Sequence, residues 1–289
     1  LKQNKLVPPC AYQGGKQRIA KDIVDIIFKE NEINDHTKFY DLCCGSGAIS
    51  IELINRGVNA ENITMVDKSV WGLFWQQVGN GEFSTDVFKF YIDDIPKDIT
   101  KIKEYAEQMS RRPANEGLFN NIVYKYLILQ ACSFGGKAVW EEGNEWKSPS
   151  FRSYWMPTAT SNRRSHVNPM MPMPEPLFNR VEQIIAKMEG VTGYHADVRD
   201  IIEIESDSIV YIDPPYKNTS GYGYDFNTDS YLHTLLSSGK LHSKNYKIYI
   251  SEGYKMTDNS HLISSKREKG GIYGKRNTFN EEWLNVFNT

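Results

Sequence analysis

One stretch of this chain brings reactive residue types together at close spacing: Val210-Tyr211-Ile212-Asp213-Pro214-Pro215-Tyr216. Residues 208–212 are apolar and β-branched enough to predict a short buried strand. The strand must stop at Asp213, because proline has a fixed φ and no N–H and cannot extend a ladder. The chain therefore leaves the sheet on a stiff path that carries a carboxylate (Asp213), the Pro214 carbonyl and the flat face of Tyr216. Two acceptors beside an aromatic face suit an exocyclic amino group on a planar base. An aspartate before proline also starts many ordinary turns, so this stretch needs support from elsewhere in the chain.

Residues 38–57 supply that support. A predicted strand, 38–42, runs into Cys43-Cys44-Gly45-Ser46-Gly47. A predicted helix over 48–56 follows, with apolar Ile49, Leu53 and Ile54 and with Gly57 to close it. Strand, small-residue turn and helix form the nucleotide-cradling unit of a doubly wound sheet. Ser50 stands where the dinucleotide fingerprint needs its third glycine, and no lysine followed by serine or threonine closes a longer phosphate loop. The ligand class that remains contains adenosine but no pyrophosphate. A strand over 63–67 follows, and Asp67 at its end is placed to accept hydrogen bonds from ribose hydroxyls. Upstream, Gly14-Gly15-Lys16 predicts a turn that opens a helix with Ile19, Ile23, Ile26 and Ile27 on its apolar face. Such a turn presents N–H groups to an anion or carboxylate.

Taken in order, Tyr12-Gln13-Gly14-Gly15-Lys16, the run Asp41 to Gly47, Asp67 and Asp213-Pro214-Pro215-Tyr216 resemble the Dam-like (D12 class) DNA adenine N6-methyltransferases. The resemblance extends over most of the chain and is weakest over 80–190. It implies an α/β fold: a Rossmann-like S-adenosylmethionine-dependent methyltransferase sheet with helices on both faces, plus an inserted, partly helical target-recognition region. The catalytic domain would comprise 1–80 and 190–289, and the insert 81–189. It implies transfer of a methyl group from S-adenosylmethionine to N6 of adenine, with Asp213, Pro214, Pro215 and Tyr216 as the catalytic set. Cofactor contacts would come from Tyr12, Gly14, Gly15, Lys16, Asp41, Cys43, Gly45, Gly47, Asp67 and Asp213. Asp197 matches the family's acidic contact to the cofactor adenine, with the Val198 backbone beside it. The family has an aromatic where Cys43 or Cys44 stands here, a departure that touches the packing beside the cofactor. Expected partners are double-stranded DNA and a restriction endonuclease counterpart, with the enzyme a monomer in a bacterial cytoplasm or a phage-infected host.

The elements that must position these residues are less regular in the middle of the chain. Helices are expected over 100–111 and 118–133. Residues 135–176 form a proline- and aromatic-rich stretch with Arg152, Tyr154, Trp155, Arg163 and Arg164, types that contact phosphates and bases. The run 169–174 reads as a linker. A helix is expected over 179–189, capped by Asn179 with Glu182 and ended by Gly190. Further on come a loop at 221–226 able to fold over the site, a strand at 247–251, a basic glycine-rich turn at 266–275 and a final apolar strand. Residues 276–287 resemble the family's C-terminal segment.

The whole-chain numbers fit this reading without demanding it. The length of 289 residues allows one large domain or two small ones, and a formal charge of -2 means that any basic surface is local. No apolar run is long enough to span a bilayer. The four cysteines have no zinc spacing, so no metal is expected and reduced thiols in a cytoplasmic compartment are the default. The first residue is Leu1, so native sequence is expected ahead of it. His195 is expected to be structural. Rival readings are cytosine N4 methylation, which the same acceptors would serve, and a catalytically silent DNA-binding relative. Cytosine C5 chemistry would need a cysteine such as Cys10 and leaves Asp213 to Tyr216 unexplained. Protein-glutamine methyltransferases carry Asn where Asp213 stands.

Overall fold

The computed structural model describes residues 5–116, 122–147, 149–200, 203–215, 226–237, 246–267 and 279–288. In chain order the elements are α1 (Ala20–Glu30), β1 (Phe39–Leu42), α2 (Ala48–Asn55), β2 (Ile63–Asp67), α3 (Val70–Gly79), α4 (Thr85–Asp93), α5 (Ile102–Ser110) and α6 (Ile122–Cys132). They continue with β3 (Trp140–Glu142), β4 (Glu145–Lys147), α7 (Pro174–Met188), β5 (Thr192–His195), β6 (Ile209–Ile212), α8 (Thr228–Ser237), β7 (Lys247–Glu252), β8 (Ser260–Arg267) and β9 (Phe279–Asn288). Among the described residues no helix is long and apolar enough to cross a membrane.

Seven strands form one sheet in the order β5-β2-β1-β6-β7-β9-β8, and β3 and β4 pair separately as a small hairpin. The first five strands of that order are parallel, and β9 runs antiparallel to both neighbours. Every residue of β1 and β6 is buried, as expected of parallel strands covered on both faces. Alternation then sorts their side chains. Ile209 and Tyr211 join the core under α1, α2, α3 and α6, while Val210 and Ile212 join Tyr231, Leu232 and Leu235 of α8 on the other face. This is a Rossmann-like sheet, with helices on both faces. From β1 the chain turns to β2 on one side, and β6 arrives on the other. The crevice between the carboxyl ends of β1 and β6 is thus the topological switch point, where open α/β sheets hold ligands.

The middle of the chain packs into the same core as the sheet. All eleven residues of α6 are buried, as expected of a helix that is apolar all round. An aromatic cluster of Phe74, Phe83, Phe88, Tyr124 and Phe178 ties α3, α4, α6 and α7 together. Two expectations are corrected here. The last helix of this region begins at Pro174, not 179, and Asn179 lies inside it without a capping role. Proline at the first helical position starts a helix well, since its φ is pre-set and its missing N–H would have had no partner. Nor is the run 169–174 a linker. Met170 is wholly buried, and the Met171 N–H donates to the Ala131 carbonyl at 2.9 Å. Over 100–111 the chain makes a single turn of 3-10 helix before α5, capped by the Asp98 side chain on the Thr100 N–H.

Candidate active site

The chain after β6 emerges beside the chain after β1, because those strands pair in register, Leu42 opposite Ile212. The Asp213 N–H extends the pairing by donating to the Leu42 carbonyl at 3.1 Å. Asp213 therefore stands next to Cys43, although the two are far apart in sequence. A cleft of about 260 Å³ opens here. Tyr12, Gly14, Gly15, Lys16, Asp41, Cys43, Gly45, Asp67, Asp197, Val198, Asp213, Pro214 and Pro215 are among the residues that line it, as are Ser46, Lys68, Arg199 and Phe226. Tyr216, the loop 221–225 and the turn 268–275 lie outside the described residues, as does the start of the expected 118–133 helix.

The small-residue turn is held from three sides. The Gly45 N–H donates to Asp67 Oδ2 at 2.8 Å, and the Trp75 indole N–H donates to the Gly45 carbonyl at 2.9 Å. From the third side, a Cβ built on Gly45 would lie 3.1 Å from the Tyr12 ring. The second carboxylate oxygen of Asp67 takes the Ser69 N–H and hydroxyl at 2.8 and 2.6 Å. Asp67 thus braces the turn as well as facing the cleft. Gly47 is placed differently from the expectation, since it is not part of the cleft wall. Its φ is +74°, and any Cβ there would collide with the Trp75 ring at 2.3 Å. It has to be glycine so that α3 can pack under the turn. Cys43 adopts φ 64°, a left-handed conformation uncommon for a side-chain-bearing residue. Burial pushes its thiol well up, so it is a poor nucleophile.

Asp41 is 2 % exposed and sits at the amino end of α2, where its Oδ2 accepts from the Ser50 hydroxyl at 2.7 Å and the Ser50 N–H at 3.3 Å. Burial pushes its carboxyl up to about 6, against the pull of those two donors. Asp197 is bound by Arg199, whose Nε donates to Oδ1 at 2.8 Å and whose guanidinium reaches Oδ2 at 2.5 Å. Lys68 donates to Oδ2 at 3.1 Å. The Arg199 contact holds this carboxyl far below the usual range. His195 makes a 3.1 Å contact with the Lys68 carbonyl and is not among the residues lining the cleft.

Asp213 has a strongly perturbed carboxyl. Lys16, only 6 % exposed, donates to both of its oxygens at 2.6 and 2.7 Å and to the Gly14 carbonyl at 3.0 Å. Burial nevertheless raises the Asp213 carboxyl to about 7. Lys16 opposes that rise, while Glu282 of β9 and Asp41 add to it. Sequence reasoning missed Glu282, which lies 3.7 Å from the Lys16 ammonium, and Trp75, the support of the glycine turn. Neither has a local signal, since both arrive from other strands and helices.

The donor set fits S-adenosylmethionine. Four carboxylates, Asp41, Asp67, Asp197 and Asp213, face three cations, Lys16, Lys68 and Arg199, beside a close-packed small-residue turn. Such a surplus of acceptors suits a ligand with ribose hydroxyls and a cationic sulfonium end. No family model and no curated protein matches the chain. Among solved structures it is similar to the rRNA methyltransferase aviRa from Streptomyces viridochromogenes. One structure, at 1.5 Å, gives 11 % identity and a TM-score of 0.38, covering 98 % of this chain and 86 % of that one. A second, at 2.4 Å, gives 10 % identity and the same score, covering 93 % and 83 %. The strand order itself defines the fold.

Proposed function

We propose that this chain is a DNA methyltransferase of the Dam-like type that transfers a methyl group from S-adenosylmethionine to N6 of adenine. The observation that carries the reading is the meeting of Asp213 and the Cys43–Gly45 turn in one cleft at the switch point. S-adenosylmethionine, when bound, supplies an electrophilic methyl group. Tyr12, Gly14, Gly15, Gly45, Asp67 and the Asp197–Val198 segment, which line the cleft, would hold it. An adenine amine is a weak nucleophile because its lone pair is delocalised into the ring. Asp213 and the Pro214 carbonyl accept its two hydrogens and favour a pyramidal nitrogen, which frees the lone pair. Tyr216 stacks on the ring and Pro215 stiffens the path that presents both. As the N–C bond forms, the methyl–sulfur bond breaks and its electron pair leaves with the sulfur as a neutral thioether; the nitrogen then carries one proton too many, which Asp213 would take. Orientation and fixed charge supply most of the rate.

The carboxylate form is the acceptor, and the Asp213 carboxyl is raised to about 7. The expected pH profile of kcat/KM therefore climbs through neutrality and flattens above it. The linkage runs the other way for stability. The folded state binds the Asp213 proton more tightly than the unfolded chain does, so this group costs stability as pH rises from about 4 to about 7. A rate that is flat from pH 5.5 to 8.5 would contradict the role.

DNA is proposed to lie across the arm that follows α6. Residues 151–171 run out and back, joined where Trp155 and Val167 exchange N–H to carbonyl bonds at 3.2 and 2.8 Å, and the arm carries Arg152, Arg163 and Arg164. At its root Phe134 is 64 % exposed on a firmly held turn. The Phe134 N–H donates to the Ser150 carbonyl at 2.7 Å, and the Gln130 amide ties the Gly136 carbonyl to that of Ala11, the residue before Tyr12. An exposed aromatic on a turn tied to the residue before Tyr12 suits stacking on bases next to the extruded one. Phe134→Ala is expected to weaken DNA binding and lower kcat/KM about tenfold or more, as loss of one stacked base predicts, with cofactor affinity unchanged. Fluorescence anisotropy with a labelled duplex checks this.

The deciding experiment treats DNA with the protein and isotopically labelled S-adenosylmethionine, then digests it to nucleosides and weighs the product. N6-methyl-2′-deoxyadenosine is expected. N4-methyl-2′-deoxycytidine would select the rival chemistry, and an unlabelled digest would leave the silent DNA-binding reading.

A further inference from the structure

The Lys16–Asp213 pair has a third member that the proposed chemistry does not use. Glu282, on the last strand of the sheet, places Oε1 3.7 Å from the Lys16 ammonium, while Lys16 is held by both Asp213 oxygens at 2.6 and 2.7 Å. The three side chains are nearly closed off from solvent, at 6 %, 17 % and 15 % exposure for Lys16, Asp213 and Glu282. They come from three parts of the fold: the turn ahead of α1, the end of β6 and the middle of β9. β9 is separated from β6 by β7, so Glu282 reaches the centre only because β9 inserts antiparallel between β7 and β8.

A buried lysine beside one carboxylate needs no second one. A second buried carboxylate adds repulsion and desolvation, so its presence calls for a physical account. The geometry points to Glu282 as a positioning residue of the Asp213 centre: it shares the Lys16 ammonium, so that Lys16 can shift toward Glu282 and free Asp213 lone pairs for an incoming amine while the cation stays paired. This rests on the proposed role of Asp213, but the arrangement itself does not depend on that role. A carboxylate has about four acceptor positions, and Lys16 already occupies one on each Asp213 oxygen. Movement of Lys16 by little more than an ångström would reverse which carboxylate it favours.

Other charged and titratable groups face this centre and bear on any titration. Asp41 comes from β1, Tyr211 from β6 with its hydroxyl on Ser251 at 2.7 Å, and Cys43 from the turn after β1. Glu252 of β7 lies beside Glu282 and is held by the Thr228 hydroxyl at 2.8 Å. All of these stay in place in the variants below.

The test is carbon-13 NMR of labelled aspartate in the full-length free protein, with the Asp213 carboxyl assigned by its loss in Asp213→Asn. Wild-type Asp213 is expected to titrate near neutrality. Glu282→Gln, which keeps the shape and removes the charge, moves the midpoint to lower pH by about half a unit or more. Lys16→Met moves it to higher pH, and Glu282→Asp restores most of the wild-type value. A midpoint that stays put in Glu282→Gln, or rises, overturns the inference whatever the enzyme does. In parallel, Glu282→Gln should raise KM for DNA severalfold with unchanged cofactor affinity, and its pH–rate midpoint should move with the NMR midpoint. If the NMR midpoints shift as described while no DNA is methylated by any form, the shared lysine stands and the DNA methyltransferase reading falls. Should Glu282→Gln fail to fold, Glu282→Ala takes its place: the same downward shift is expected, and a midpoint that stays put overturns the inference.

Discussion

Asp213→Asn is expected to lower kcat for methyl transfer by about a thousandfold while the cofactor still binds with affinity within a few-fold of wild type. The substitution keeps the shape and swaps one acceptor oxygen for an amide that can only donate, so the target amine meets a donor where it needs an acceptor. Loss of one preorganised electrostatic contact of this kind costs about two to three powers of ten. Asp213 is also the Lys16 partner at 2.6 and 2.7 Å, so the variant retains Lys16 beside Glu282, and circular dichroism should report a folded protein. Single-turnover assays with saturating duplex and labelled S-adenosylmethionine, set against calorimetric titration of the cofactor, separate the two effects. A near-native rate in Asp213→Asn would remove the carboxylate from the chemistry and leave the Pro214 carbonyl to act alone.

The second large effect concerns stability. Helix α3 lies backbone against backbone on the sheet edge. A Cβ on Gly79 would stand 1.9 Å from the Val191 carbonyl oxygen, and one on Gly72 would stand 2.0 Å from the Asp67 carbonyl oxygen. Neither obstacle is a flexible side-chain tip, so either alanine must push a helix off its strand. Gly79→Ala is expected to cost about 3 kcal/mol of unfolding free energy, the upper range for overpacking, read as a lower urea midpoint. Gly72→Ala should cost a similar amount and have a second consequence. It displaces the Asp67 backbone, whose carboxylate holds the Gly45 N–H at 2.8 Å, so cofactor affinity should fall as well. Gly79→Ala, farther from the cleft, should leave the affinity of the remaining folded protein intact. Two variants with native stability would mean that α3 sits farther from β5 than described.

These expectations draw unequally on sequence and structure. Local spacing was enough for the units whose chemistry is local. The four-residue strands β1 and β6, the Cys43–Gly47 turn into α2, and Asp67 closing β2 all follow from short apolar runs stopped by glycine or proline. Asp213 is fixed by the two prolines behind it. Periodicity says much less about α3. Its sequence, VWGLFWQQVG, carries two glycines and two tryptophans and is a poor helix on propensity, yet it forms because its glycines fit against β5 and its tryptophans fill the core. The start of α7 was misplaced because a plausible capping pattern at Asn179 competes with a proline signal five residues earlier, and packing of Leu177 selects the longer helix.

Which residue types stand at strand ends is written in the chain's local order, and with it the existence of an acceptor pair and a small-residue turn. What each of them touches depends on how the strands assemble. Strand order brings Asp213 beside Cys43, inserts β9 so that Glu282 reaches Lys16, and sets Trp75 under Gly45 so that Gly47 serves packing rather than the cleft wall. It also lets Arg199 and Lys68 saturate much of Asp197. The physical reason is range. Backbone preferences and hydrophobic periodicity act over a few residues, whereas ion pairs, burial and the carboxyl shifts they cause depend on neighbours that only chain crossing supplies.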